Sequence, residues 1–229
     1  DGTLKDVLID GEYLKGKELF DAVDRIVREA YFNKPHTERK RCCMDYVWYL
    51  WCGENSPLFG KKKMATFERY FLDDKETHKE ERCPYYKYRD KENICLMILK
   101  DFGMDPENSH IINGHVPVKI KNGEKPVKAG GKLFVIDGGI SKAYQKATGI
   151  AGYTLIYDSH SLNLAEHKPF VAGESEHTPE IHLVERLERR ANISDTDKGA
   201  ELLEQINDLR ELLRAYRSGE IKESGRRVN

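Results

Sequence analysis

From Ile111 to about Phe170 the chain is cut into short apolar runs, and this block of strand-like sequence between two helical regions constrains the fold more than any other feature. The runs "HIINGH", "GKLFVIDGG", "GYTLIYD" and "LNLAEHKPF" are rich in β-branched and aromatic residues and are parted by Gly, Asn and Lys-rich turns, which predicts strands. Before the block, Leu19, Phe20, Val23, Ile26, Val27, Ala30 and Tyr31 recur at helical spacing over 17–32, and Ile94, Met97, Ile98 and Phe102 do so over 90–102, where Gly103 and Pro106 close the pattern. After it, 180–191 reads as helical, and Ser194 with Asp197 reads as a capping box opening a last helix to about Tyr216. Helices and strands segregated in this way predict an α+β fold.

Other stretches refine the plan. "VLIDGEYLKG" alternates apolar residues around Asp-Gly and predicts a small hairpin. "DYVWYLWCGENSPLFGKKK" reads as a buried aromatic segment leading into an irregular loop broken by Gly53, Pro57 and Gly60, the kind of loop that often lines a site. "AGESEHTP" at 172–179 reads as a polar connection and 218–229 as a frayed polar tail. In the last helix Leu202, Ile206, Leu209, Leu213 and Tyr216 repeat at alternating four and three. That pattern suits a helix packed on its own domain, with dimerisation as the alternative.

At 229 residues the chain is long enough to bury a substantial core. Its 38 basic and 39 acidic residues leave a net charge of -1, which gives no electrostatic reason to expect nucleic acid or an anionic membrane as partner. No run approaches the roughly 18 apolar residues of a membrane span, and the start lacks the order of a signal peptide. Five cysteines without a secreted-type framework point to a reducing, cytoplasmic compartment.

Few residues carry chemistry by spacing. Trp51-Cys52-Gly53 lacks the second thiol of a dithiol motif, since Asn55 stands in its place. Cys52 therefore reads as a buried small hydrophobe. Adjacent Cys42 and Cys43 do not suit a tetrahedral metal site. Asp158-Ser159-His160 follows a strand as metal-binding Asp-x-His pairs do, but nothing downstream completes such a site and a turn is the simpler reading. The histidines at 36, 78, 110, 167, 177 and 182 lie in polar contexts and read as solvated. His115 differs, because it follows Asn113-Gly114 at the end of an apolar strand, where a glycine gives room for a ligand to approach. Spacing alone leaves a metal or catalytic duty and an ordinary turn histidine both open.

"NGHVPV" followed by "GGKLFVIDGGISKAYQKATGIAGYTLIYDS" resembles the closing motif of the calcineurin-like metallophosphatases, with Gly114-His115 and then Asp137-Gly138-Gly139. The resemblance to class III fructose-1,6-bisphosphatases is more specific. "WYLWCGENSPLFGKKKMATFERYF", "CPYY", "SHIINGHVPVK" and the tail "DTDKGAELLEQINDLRELLRAYRSGEIKE" all resemble the C-terminal portion of that family. The resemblance implies a four-layer α/β/β/α sandwich with outer helices and a C-terminal helical tail. It also implies a divalent metal pair, usually manganese, that removes the 1-phosphate of fructose 1,6-bisphosphate in gluconeogenesis, under regulation by small phosphorylated effectors. The family's upstream ligand motifs, Asp-x-His, Gly-Asp-x-x-Asp-Arg-Gly, Gly-Asn-His-Asp/Glu and His-Gly, are not present in the expected order.

The chain is therefore expected to be a C-terminal piece, inactive alone, that contributes His115 as a metal ligand with Asn113, Gly114, Asp137 and Gly138 supporting the motif. Residues 1–171 would complete the metallophosphatase domain, with a helical insert at 16–105, before a helical segment at 172–217 and the tail at 218–229. Lys119, Lys128, Lys132, Lys142, Arg69, Tyr85 and Tyr86 are the candidates for holding sugar or phosphate. Another phosphatase of the superfamily, acting on phosphoproteins or dinucleotide polyphosphates, and a non-catalytic assembly module built on the last helix are the competing readings. A homo-oligomer is compatible with either role.

Overall fold

The computed structural model describes residues 2–34, 37–54, 56–139, 141–149, 152–168 and 178–222. It is mixed α and β and divides into two compact units, 1–152 and 153–229.

The first unit opens with the expected hairpin, β1 (Val7–Ile9) against β2 (Glu12–Leu14). Its two turn residues, Asp10 and Gly11, both have positive φ (51° and 90°), so the tight turn matches the twist of the strands. Next come α1 (Gly16–Phe32) and α2 (Glu38–Cys52), and together these elements bury Ile9, Leu19, Ala22, Val23, Ile26, Cys43 and Leu50. Thr37 caps α2 by accepting the Lys40 N–H. The aromatic segment expected to be buried is thus the second half of a helix that buries Leu50, while Trp48 and Trp51 remain 64% and 62% exposed. Only one stripe of a helix reaches a neighbour, and the two indoles lie off that stripe.

Two short helices, α3 (Thr66–Phe71) and α4 (Tyr85–Tyr88), precede α5 (Glu92–Asp101), which covers nearly the span its periodicity predicts. Phe20 meets Phe102 edge to face at 5.5 Å, and Asp101 accepts the Lys17 N–H at the start of α1. Gly16 makes this approach possible. Its φ is +48°, and a Cβ there would lie 1.6 Å from Asp101 Oδ2. Gly16→Ala is expected to expel the carboxylate from the helix start and to strain the backbone. The cost should be about 2–3 kcal/mol in urea unfolding of the 229-residue chain, as the sum of a lost cap and a left-handed alanine.

A three-stranded sheet in the order β3 (Ile111–Asn113), β5 (Leu133–Val135), β4 (Val127–Lys128) completes the unit before α6 (Lys142–Thr148). β3 and β5 are parallel and pair Ile111 with Leu133, Ile112 with Phe134 and Asn113 with Val135. β5 is the middle strand, and its three residues are almost wholly buried. The sequence pattern did not reveal α6, a seven-residue helix closed by Gly149 at φ +96°.

In the second unit β6 (Gly152–Tyr157), β7 (Ser161–His167) and β8 (Glu180–Arg186) form an antiparallel β7–β8 pair within a three-stranded sheet ordered β6-β7-β8. The helix expected over 180–191 is therefore corrected to a strand. Ile181 and Leu183 alternate as a strand requires, and pairing with β7 from Glu166↔Glu180 to Ser161↔Arg186 fixes the conformation. The last helix, α7 (Asp197–Ser218), is capped by Thr196, whose hydroxyl accepts the Gly199 N–H, and not by the expected Ser194–Asp197 box. A reciprocal box does exist, one turn earlier, between Asn192 and Asp195. Residues 169–177, which include most of the expected polar connection, and 223–229 lie outside the described residues. Among the described residues no helix is long and apolar enough to cross a membrane.

Candidate functional site

Because β3 and β5 run parallel, their C-terminal ends emerge side by side, the position at which open α/β sheets present ligand-binding loops. The two exits are tied together. Ile136 donates its N–H to Asn113 O at 2.9 Å, and beyond the turn Val118, 1% exposed, donates to Asp137 O at 2.8 Å. Asn113, Gly114 and His115 on one side and Asp137 and Gly138 on the other are thereby brought into one cluster of loops.

Between those ties the chain makes a three-residue turn centred on His115. The Val116 N–H donates to Gly114 O at 2.8 Å, and His115 has φ +66°. This is a γ-turn of the rarer, positive-φ kind, and an L-residue there costs about 1–2 kcal/mol. Gly114 does not carry the unusual φ, and a Cβ on it would meet no described atom within 4 Å. His115 is exposed at the tip.

Asn113 is held from a second direction. The Tyr85 hydroxyl donates to Asn113 Oδ1 at 2.7 Å, across 28 residues of sequence. Burial pushes the Tyr85 phenol above its ordinary pKa, so the hydroxyl keeps its proton for this bond. Pro84 starts the short helix, Cys83 N–H donates to Gly60 O, and the Tyr86 ring sits under the guanidinium groups of Arg89 and Arg82, at 5.1 and 5.9 Å. Arg89 itself is 6% exposed; its Nε makes no hydrogen bond among the described residues and lies 3.7 Å from Asp90 Oδ1. The sequence reading passed over Arg89, although it stands one helical turn after Tyr85.

Of the other basic candidates, Lys128, Lys132 and Arg69 are engaged by their side chains within the fold. Lys128 Nζ pairs with Asp90 at 2.7 Å, and Lys132 Nζ donates to Glu107 O at 2.5 Å. Arg69 lies 3.6 Å from Glu80, a carboxylate held below its usual range by Lys61 and by the Ala65 N–H. Lys119 uses its backbone, donating to the Glu124 carboxylate at 3.1 Å. The side chain of Lys142 is outside those described.

Asp137 folds back on its own turn, with Oδ1 accepting the Gly139 N–H at 2.7 Å. Asp158 likewise serves a turn, between β6 and β7, where its carboxylate accepts from His160 N, Ser161 N and Ser161 Oγ. The expectation that the remaining histidines are solvated needs correction at three of the described ones, His36 and His177 lying outside the described residues, and the first is the half-buried His167, whose Nε2 meets Thr154 Oγ1 at 2.7 Å. His78 contacts the carbonyls of Glu68 and Leu72, and the half-buried His110 contacts Gly131 O and stacks edge to face on Phe134 at 5.1 Å. All five cysteines are free, and burial raises the Cys95 thiol to about 11, which removes it as a nucleophile at neutral pH. Cys52 is half-exposed, not buried as its sequence context suggested.

Among the described residues no group of three or more His, Cys, Asp or Glu side chains converges as a metal site would require. The donor set at the strand ends fits one imidazole ligand of a metal centre and does not fit a complete one.

Comparison with known proteins adds the family. A model described as Firmicute fructose-1,6-bisphosphatase matches residues 1–218. The chain is 58% identical over 229 residues to the fructose-1,6-bisphosphatase class 3 of Clostridium botulinum strain Langeland, covering 97% of this chain and 34% of that protein. Against the protein of the same description from strain Alaska E43 it is 56% identical over 229 residues, covering 97% and 35%. The chain thus spans about a third of the length of the curated relatives it matches. No solved structure matches it.

Proposed function

We propose, on the premise that this chain belongs to the Firmicute fructose-1,6-bisphosphatase family, that the complete protein hydrolyses the 1-phosphate of fructose 1,6-bisphosphate and that this chain contributes His115 to its metal centre. The observation that carries the proposal is the family match over 1–218, a span that contains the strained Gly114-His115 turn at the ends of paired parallel strands. In this reading the β3–β5 pair belongs to the metallophosphatase sandwich. When bound, a divalent metal pair, manganese in our proposal, lowers the pKa of the attacking water and offsets charge on the phosphoryl oxygens.

The residues of this chain have narrower tasks. The γ-turn holds the imidazole outward, the Val118–Asp137 tie fixes the height of the loop above the sheet, and Asp137 rigidifies the neighbouring exit by closing its own turn. Arg89, buried over the Tyr86 ring and 3.7 Å from the Asp90 carboxylate, braces the Tyr85–Tyr86 helix beside this loop cluster. In this reading the protein works in the reducing cytoplasm, a location supported by five cysteines without a secreted-type framework.

The test is phosphate release by the complete, manganese-supplemented protein from fructose 1,6-bisphosphate and from a phosphopeptide. The proposal expects kcat/KM for the sugar to exceed that for the peptide by about two orders of magnitude or more. It also expects no hydrolysis by residues 1–229 alone, because one imidazole does not hold a metal pair. Equal rates on both substrates, or activity in the 229-residue chain, would overturn it.

A further inference from the structure

We infer that Tyr85 is a positioning residue for the metal-ligand loop, acting through Asn113 to hold the Gly114-His115 turn in its catalytically competent form. The inference rests on the role proposed for His115. A positive-φ turn persists only where its flanks are over-determined. On the C-terminal flank the Val118 tie and its burial do this, and on the N-terminal flank the Asn113 carbonyl is held by Ile136. These are backbone bonds, and they fix the path of the chain. The Tyr85–Asn113 bond is the side-chain tie at the foot of the turn, and it links the turn to a separate element.

The donor is itself well placed. Tyr85 packs edge to face on Tyr86 at 5.8 Å, and the segment before it is bonded to the loop at Gly60. Since the proton of its hydroxyl is committed to Asn113 Oδ1, Tyr85 does not donate it to a substrate phosphate. Without the bond the turn is held by its backbone ties alone, and the Asn113 amide loses the hydrogen bond that joins it to the Tyr85 helix. Loss of such an outer contact to a metal ligand lowers metal affinity or activity by about 10–100-fold.

The test is a double-mutant cycle in the complete protein with Tyr85→Phe and Asn113→Ala, read three ways: kcat and KM for fructose 1,6-bisphosphate, free manganese by electron paramagnetic resonance during titration, and the thermal unfolding midpoint. Tyr85→Phe keeps the ring packing. It is expected to raise the manganese dissociation constant about tenfold or more and to lower kcat by a similar factor, with KM within twofold. Adding Asn113→Ala should cost little further, because both changes break one interaction. A lowered unfolding midpoint with unchanged manganese affinity and kcat would make Tyr85 merely structural and overturn the inference. So would a raised KM at unchanged kcat, which is the mark of a substrate contact. Failure of the underlying reading looks different, since the wild type itself would then bind no manganese or ignore the sugar bisphosphate.

Discussion

Replacing His115 by Ala or by Gly in the complete protein is expected to lower kcat for fructose 1,6-bisphosphate at least about a hundredfold, because in the proposed function either change removes a metal ligand and not merely its support. The two substitutions should part company in stability. The side chain is exposed, so few contacts are lost, but the backbone stands at φ +66°. Alanine keeps the Cβ that this conformation penalises, whereas glycine does not. In urea unfolding of the 229-residue chain, His115→Gly should be more stable than His115→Ala by about 1 kcal/mol, a difference between the penalty of left-handed backbone and the unfolded-state entropy of glycine. Loss of activity in both variants, with the more flexible residue giving the more stable chain, would mean that the turn is held strained for the sake of its imidazole. Equal stability would indicate that the turn carries no strain.

Phe134→Ala is expected to cost about 3–5 kcal/mol, a large part of the 5–15 kcal/mol that holds a typical domain together. Phe134 is fully buried in the middle strand, pairs with Ile112 and Val127 on its two sides and receives the His110 ring on one edge. The cavity would open directly beneath the strand pair whose ends carry Asn113 and Asp137. In the complete protein the variant should therefore lose activity even at temperatures where it remains folded, since small displacements of a catalytic ligand cost large factors in rate. The checks are a urea titration of the 229-residue chain and kcat of the complete protein at 25 °C. A loss below 1 kcal/mol would show that this sheet is not the core that supports the site.

Local patterns made several elements legible. The 3.6-residue periodicity of 17–32 marked α1, and Asp10-Gly11 marked the hairpin, because the residues that make these elements are neighbours in sequence. The error at 180–191 came from the same source. Ile181, Leu183, Val184 and Leu187 fit helix or strand about equally over so short a run, and pairing with β7 decides between them. For α2 the composition was read correctly as aromatic, but which side of a helix faces its neighbours is set by tertiary contact with α1.

At the site, Asn113-Gly114-His115 stood out by its residue types and its resemblance to a phosphatase motif. Its most informative features did not. The positive φ belongs to His115, not to the adjacent glycine that a sequence reader would credit, and the Tyr85–Asn113 bond joins positions that share no periodic pattern. Conversely, Lys128, Lys132 and Arg69 looked like phosphate ligands because they are basic and near the motif in sequence. In the fold Lys128 and Arg69 lie against acidic partners and Lys132 donates to a backbone carbonyl. Charge in a sequence does not reveal its partner.

The central claim is that the turn following β3 delivers a metal ligand to the complete enzyme. Its most direct test is the manganese content of the complete protein after equilibration and desalting, wild type against His115→Ala, by atomic emission. The claim predicts two ions per chain in the wild type and one or none in the variant, with the fold intact by circular dichroism. Two ions retained by the variant would contradict it.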